Sequence, residues 1–128
     1  MEKIFKAIGD YSRVRIINLL ISGRLCVTEL SNVLQMSISA VSRHLSRLNL
    51  VGIIEDKHEA QWVYYEVSKE FAANNSLLLD YIQKVAETDS MLKDDAIRLQ
   101  RYKSSEYCCK DLTACKVEVE KIMGGNNE

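Results

Sequence analysis

The chain has 128 residues, a formal net charge of −1, no proline and four cysteines. This length fits one domain with a working core, and the near-zero net charge excludes a uniformly basic protein, so the placement of charge matters more than its total. Because no apolar run approaches a membrane span and no secretory signal opens the sequence, we expect a cytoplasmic protein whose cysteines serve metal or redox chemistry rather than structural disulfides.

The first third of the chain predicts three short helices. Ile4, Phe5 and Ile8 form an apolar stripe on the first of them. Ser12 is a candidate N-cap for the second helix and Thr28 for the third, because a hydroxyl can accept a hydrogen bond from a free backbone amide there. The predicted buried faces of the second and third helices consist of Val14, Ile17, Leu20, Ile21, Leu30 and Leu34.

The segment from Met36 to Leu48 has the pattern of a DNA recognition helix. Val41, Leu45 and Leu48 fall at i, i+4 and i+7 on one face, and no Asp or Glu occurs from residue 37 to residue 54. Since a short helix and a tight turn precede it, the pattern predicts a helix-turn-helix, with Ser37 as the candidate N-cap of the recognition helix. The opposite face suits phosphate oxygens and base edges, and its predicted DNA-contacting residues are Ser37, Ser39, Ser42, Arg43, His44 and Arg47.

Charge along the chain supports this placement. Residues 11–54 hold Arg13, Arg15, Arg24, Arg43 and Arg47 against one acid, Glu29, whereas acidic residues gather at 55–59 and from 87 onward. We therefore expect the basic first half to face the phosphates.

Residues 51–67 predict a wing. Two runs rich in β-branched and aromatic residues, Val51–Lys57 and Gln61–Val67, are separated by a polar link, which is typical of a two-stranded β-hairpin. Lys57 is the wing residue expected to contact the DNA backbone. The contact should be weak, because Asp56 and Glu59 lie nearby.

The chain after residue 68 predicts helices again. Leu78, Tyr81, Ile82, Val85 and Ala86 form a broad apolar face, which a partner subunit covers in one interpretation and the same domain covers in the other. A further helix capped by Asp89 or Ser90 would align Leu92, Ala96 and Leu99.

The predicted fold is mainly α with a two-stranded β-hairpin, a homodimeric winged helix-turn-helix. Residues 1–88 would bind DNA and dimerise, and residues 89–128 would carry a C-terminal helix and a cysteine-bearing inducer tail.

Five segments carry a resemblance to a known family. They are Phe5–Asp10, Arg13–Ile16, Leu25–Leu30, Ala40–Leu45 and Trp62–Tyr65. Over residues 4–67 the chain resembles the ArsR/SmtB family of winged-helix metal-responsive repressors. The resemblance implies a homodimer that binds double-stranded operator DNA, represses transcription and leaves the DNA when a metal ion binds. It implies no enzyme, and no arginine follows Cys108 or Cys109 at the spacing that cysteine phosphatases use.

Two inducer sites that the family uses are incomplete in this sequence. The resemblance aligns a Cys-Val-Cys element at the start of the third helix with Cys26-Val27-Thr28, which lacks the second thiol. Cys26 is therefore interpreted as a small buried apolar residue. A zinc site of histidines and carboxylates on the dimerisation helix needs a histidine beyond residue 68, and the two histidines are His44 and His58.

The remaining candidate inducer site is the cysteine cluster Cys108, Cys109 and Cys115, which also resembles that of arsenic-responsive members of the family. Trivalent arsenic or antimony bonds to three sulfur atoms, and soft thiolates select such ions. On one continuous helix Cys108 and Cys115 would be roughly 10 Å apart, so the chain between them must turn. Two alternatives stay open: a redox switch through a disulfide to Cys115, and a Zn or Cd site completed by Cys26 or Asp111.

Overall fold

The computed structural model describes residues 2–104. No helix within that range combines the length and the apolar character needed to cross a membrane. The elements in chain order are α1 (Glu2–Ile8), α2 (Tyr11–Ile21), β1 (Leu25–Cys26), α3 (Val27–Leu34), α4 (Ile38–Leu50), β2 (Ile54–Glu59), β3 (Trp62–Val67), α5 (Lys69–Asn74), α6 (Ser76–Ala86) and α7 (Ser90–Lys103).

The helix N-caps follow the predicted chemistry but not always the predicted residue. Ser37 caps α4 by accepting a hydrogen bond from the amide of Ala40 at 3.1 Å, and Asp89 caps α7, as the sequence predicts. The predicted cap Ser12 was wrong, because the carboxylate of Asp10 accepts from the amide of Arg13 instead. The predicted cap Thr28 was wrong as well, because α3 already begins at Val27 and Cys26 occupies the N-cap.

The predicted hairpin is present, with one strand more than expected. β2 and β3 pair antiparallel from Ile54 opposite Val67 to Glu59 opposite Trp62. The two-residue strand β1 pairs with the other edge of β3, so the sheet has three strands in the order β1-β3-β2. The expectation of a two-stranded hairpin missed β1 because two residues are too short to show an alternating pattern. This third strand joins the wing to the start of α3.

The core lies between the helices and the inner face of this small sheet. The recognition-helix residues Val41, Leu45 and Leu48 are buried, which confirms the predicted apolar face of α4. The other fully buried large side chains are Ile16, Ile17, Leu19, Leu30, Val33, Leu34, Ile53, Ile54 and Leu92. The recognition helix is therefore held by its inner face, and its outer face is left to solvent.

Helix α7 packs on α2 and α3 through the predicted face at two of its three predicted positions. Leu92 and Leu99 are buried as expected, but Ala96 is exposed and Asp95 is completely buried in its place. A carboxylate can occupy this position because two arginines, Arg15 and Arg98, form ion pairs with it. The spacing of apolar residues in the sequence could not predict the burial of Asp95, because a charged residue is assigned to the exposed face.

The contrast between Leu48 and Leu50 on α4 gives a stability prediction. Leu48 is 0% exposed and Leu50 is 83% exposed. We expect Leu48→Ala to lower the free energy of unfolding by about 2–5 kcal/mol, because it removes buried apolar area and leaves a cavity. Leu50→Ala should change it by less than about 0.5 kcal/mol. Urea denaturation at one protein concentration measures both, and equal losses would contradict this placement of α4.

Candidate nucleic-acid interface

The turn between α3 and α4 sets the direction of the recognition helix. Gln35 adopts a left-handed conformation with φ of 58°, which ends α3. Ser31 then holds the next residue, since its hydroxyl donates to the carbonyl of Met36 at 2.6 Å and its carbonyl accepts from the amide of Met36 at 3.2 Å. Ser37 follows as the cap of α4. The two helices are thereby joined through a short turn that hydrogen bonds of Ser31 and Ser37 hold in place.

The outer face of α4 is polar, cationic and open. Ser37, Ser39, Ser42, Arg43 and Arg47 are exposed. Neither Arg43 nor Arg47 forms an ion pair within residues 2–104, so both guanidinium groups can take an anionic partner from outside this part of the chain. Guanidinium groups and hydroxyls on one helix face are the donors that bind phosphate oxygens and base edges.

His44 lies at the side of this face and not on it. The ring is half-buried, and its Nδ1 is 3.4 Å from Nη1 of Arg13. Burial lowers the pKa of His44, and the neighbouring Arg13 and Arg43 lower it further against the opposing effect of Asp10. The neutral imidazole can accept the Arg13 hydrogen bond. His44 therefore links the recognition helix to Arg13 in α2.

Three arginines of the basic first half have structural partners, which corrects the expectation that this half faces DNA as a whole. Arg13 donates to the carbonyls of Ala7 and Lys6 at the end of α1. Arg15 is buried against Asp95. Arg24 binds Glu59 of the wing at 3.0 Å and lies over the ring of Tyr64 at 4.4 Å.

The charges at the wing are paired with one another. Lys57, the predicted backbone contact, is 3.7 Å from Glu55, and His58 is 3.3 Å from Asp56. Both pairs are on the exposed hairpin. Exposed pairs of this kind are weak, so Lys57 can exchange Glu55 for a phosphate at little cost.

Sequence reasoning missed two cations beside the recognition helix. Lys3 and Lys6 of α1 and Arg47 of α4 line an open cleft of about 380 Å³, together with Ala7, Leu50 and Val51. The spacing of Lys3 and Lys6 on a helix could have indicated that they share a face. The cationic surface thus extends from the recognition helix to the first helix.

Comparison with known proteins agrees with this geometry. The family model described as "Bacterial regulatory protein, arsR family" matches residues 10–56. The "Arsenic resistance transcriptional regulator ArsR1" of Pseudomonas putida is 38% identical over 98 residues, which is 75% of this chain and 74% of that protein. The chain belongs to the ArsR family. It is a transcriptional regulator with a helix-turn-helix, and helix-turn-helix regulators of this family bind DNA.

Two further relatives of this ArsR-family chain are informative. A "Cadmium resistance transcriptional regulatory protein CadC homolog" of Staphylococcus aureus is 38% identical over 71 residues, covering 55% of this chain and 59% of that protein. The solution structure of the "homodimeric winged helix-turn-helix DNA-binding domain" of Mb0332 from Mycobacterium bovis has 27% identity and a TM-score of 0.58 over 67% of this chain and 77% of that chain. The winged helix-turn-helix fold is confirmed.

The predicted inducer ligands are Cys108, Cys109 and Cys115, and all three lie outside the described residues. Within residues 2–104 no group of three or more His, Cys, Asp or Glu side chains could hold a metal ion. Cys26 is buried, and its amide donates to Oε1 of Glu29 at 2.9 Å.

The environment of His44 predicts a pH dependence of stability. The folded state lowers the pKa of His44, so between the folded pKa and the unfolded value near 6.5 the unfolded chain binds more protons. At pH 7 the titration of His44 does not change the free energy of unfolding. As the pH falls through this window, protonation of the unfolded chain at His44 lowers the free energy of unfolding. We expect His44→Asn to flatten the fall in unfolding free energy between pH 7 and pH 5, measured by urea denaturation.

His58→Asn, which removes the exposed histidine of the wing, is the comparison variant measured alongside. An unchanged pH dependence in His44→Asn would show that its half-buried ring does not resist protonation.

Proposed function

We propose that this ArsR-family protein is a homodimeric repressor that binds operator DNA and leaves it when trivalent arsenic or antimony binds Cys108, Cys109 and Cys115. The observation that best supports DNA binding is the exposed face of serines and arginines on α4, where Arg43 and Arg47 are open to an anion from outside. The similarity to the arsenic resistance regulator over three quarters of the chain supports the inducer.

The proposed DNA contacts differ in strength. Arg43 is the main candidate for a base or phosphate contact, because it is exposed near the middle of α4. Ser37, Ser39, Ser42 and Arg47 would add phosphate or base-edge contacts from the same face. His44 would act at the rim of the face, where Arg13 already contacts its ring. Lys57 would add a weak backbone contact from the wing.

Exposed apolar side chains support the proposed homodimer. Phe5 on α1 is 61% exposed, and Leu77 and Tyr81 on α6 are 82% and 65% exposed. Leu77 and Tyr81 are four residues apart on one face of α6, and adjacent exposed apolar side chains are typical of an interaction surface. A second copy of the chain is the proposed occupant, as in the homodimeric Mb0332 domain. The two recognition helices would then reach half-sites about 34–36 Å apart or a multiple of that distance.

The proposed inducer chemistry follows from the donor set. Three thiolates satisfy the three bonds of trivalent arsenic or antimony, whereas zinc prefers four ligands. Lys103, Lys110 and Lys116 are close in sequence and would favour the thiolate form. A Zn- or Cd-responsive repressor of the same fold is the alternative that the cadmium resistance relative favours. A thiol redox switch is the other alternative.

Substitution of Arg43 tests the DNA interface. We expect Arg43→Ala to weaken operator binding by about 1–3 kcal/mol at fixed salt, because a guanidinium contact to DNA is lost. Arsenite binding should be unchanged. Fluorescence anisotropy of a labelled operator duplex measures the affinity. The control is Arg101→Ala, which removes an exposed arginine from α7. Equal effects of the two substitutions would count against the proposed interface.

Substitution of Cys109 tests the inducer site. Cys109→Ser should bind the operator as the wild type does but stay bound when arsenite is added, because two thiolates cannot satisfy the arsenic atom. Thr113→Ala leaves all three thiols in place and is the matched control. If arsenite releases Cys109→Ser from the operator as it releases the wild type, Cys109 is not a ligand of the inducer.

The same anisotropy assay separates the alternatives when the wild-type complex is titrated with arsenite, antimonite, zinc, cadmium and peroxide in parallel. The proposal expects release by arsenite or antimonite at the lowest concentrations. Release by cadmium or zinc alone would favour the divalent-metal alternative, and release by peroxide alone would favour the redox switch.

A further inference from the structure

Helix α7 holds the first helix of the helix-turn-helix at its start. The hydroxyl of Tyr102, in the last turn of α7, donates to Oε2 of Glu29 in α3. The other carboxylate oxygen of Glu29 accepts the backbone amide of Cys26, the N-cap residue, at 2.9 Å. Glu29, the only acid among residues 11–54, is thus buried between α7 and the beginning of α3.

The same helix also holds α3 at its end. Nε of Arg98 in α7 donates to the carbonyl of Val33 at 2.6 Å, and Nη2 of Arg15 in α2 donates to the carbonyl of Leu34 at 3.0 Å. The last carbonyls of a helix have no partner within the helix, and cations are favourable beside them. These two arginines therefore satisfy the C-terminal end of α3.

Asp95 orients both arginines. Its carboxylate is 0% exposed and accepts from Nε and Nη2 of Arg15, each at 2.9 Å, and from Nη2 of Arg98 at 2.7 Å. Within residues 2–104 no buried side-chain nitrogen or oxygen lacks a hydrogen-bond partner. A displacement of α7 would strip buried charges of their partners, which is costly. Helices α7 and α3 should therefore move together.

The end of α3 is in turn bonded to the start of the recognition helix. Ser31 of α3 holds Met36 through two hydrogen bonds, and Ser37 begins α4 directly afterwards. A continuous chain of hydrogen bonds therefore runs from α7 through α3 to the helix that carries Arg43.

We propose that Arg98, Asp95 and Tyr102 are positioning residues that carry the response of the cysteine tail to the recognition helix. The inference rests on the proposed function, since it takes the tail as the inducer site. Cys108 follows Tyr102 by six residues. At about 3.6 Å per residue at most, this tether keeps the Cα atom of Cys108 within roughly 22 Å of that of Tyr102. Arsenite binding at the tail strains α7, and α7 tilts α3 and with it α4.

Two conservative variants test the coupling in the full-length protein. Arg98→Lys keeps a positive charge beside Asp95 but cannot reproduce the planar guanidinium that reaches both Asp95 and Val33. Tyr102→Phe removes one hydroxyl and leaves Glu29 bonded to Cys26. Arg101→Lys is the matched control, because Arg101 is exposed on the same helix. For each protein the operator Kd is measured with and without arsenite, the arsenite Kd is measured without DNA, and thermal unfolding confirms the fold.

The decisive quantity is the ratio of the operator Kd with arsenite to the operator Kd without it, and not the operator affinity alone. In the wild type and in Arg101→Lys, arsenite should raise the operator Kd by about tenfold or more, within the usual range of allosteric coupling. In Arg98→Lys and Tyr102→Phe the rise should be about threefold or less, with the arsenite Kd of the free protein within about twofold of the wild type. A residue that only stabilises the fold would lower the unfolding temperature and leave this ratio unchanged.

The outcomes separate the two levels of the proposal. A wild-type ratio of tenfold that persists in both folded variants would overturn the coupling route and leave the inducer site standing. A wild-type protein that binds arsenite at the tail without any change in operator Kd would overturn the proposed function and the route together. Should Arg98→Lys fail to fold, Tyr102→Phe alone decides, because it removes no charge.

Discussion

The buried carboxylate of Asp95 is the interaction on which the arrangement of the reading head depends. It is 0% exposed and brings together Arg15 from α2 and Arg98 from α7, and both arginines then satisfy the end of α3. A buried carboxylate with a single partner would be costly, so the triad is stable only when all three residues are in place. The side-chain hydrogen bond from Arg15 to Asp95 also raises the pKa of Arg15, which keeps it charged.

This arrangement explains why a chain with almost no net charge can present a cationic face. Arg15 is committed to the buried Asp95, Arg24 pairs with Glu59 at the surface, and the acid Glu29 is turned into the protein. Arg43 and Arg47 stay open on α4, where a DNA groove can be reached. A second link, the hydrogen bond from Tyr11 to Asp89, lowers the pKa of that carboxyl and joins α2 to the start of α7. The positive charge of the α4 face therefore depends on which arginines have acidic partners within the protein and which do not.

The sequence predicted those parts of the structure that depend on periodicity. The apolar face of α4, the wing hairpin and the caps Ser37 and Asp89 were confirmed, because local patterns determine them. The short strand β1, the burial of Asp95 and the contact between His44 and Arg13 were missed. Each depends on residues brought together by the fold, such as Asp95 and Arg15, which are 80 positions apart. The division of the arginines between structure and DNA face could not be predicted for the same reason.

Arsenite and operator DNA are proposed to bind opposite sides of one conformational equilibrium of the protein, and thermodynamic linkage makes this measurable. If arsenite raises the operator Kd by a given factor, operator must raise the arsenite Kd by the same factor. Arsenite titrations of the free protein and of its operator complex, at equal salt and pH, measure the second factor. We expect the arsenite Kd of the operator complex to exceed that of the free protein by about tenfold or more. Equal arsenite affinity of the free and DNA-bound protein would contradict it.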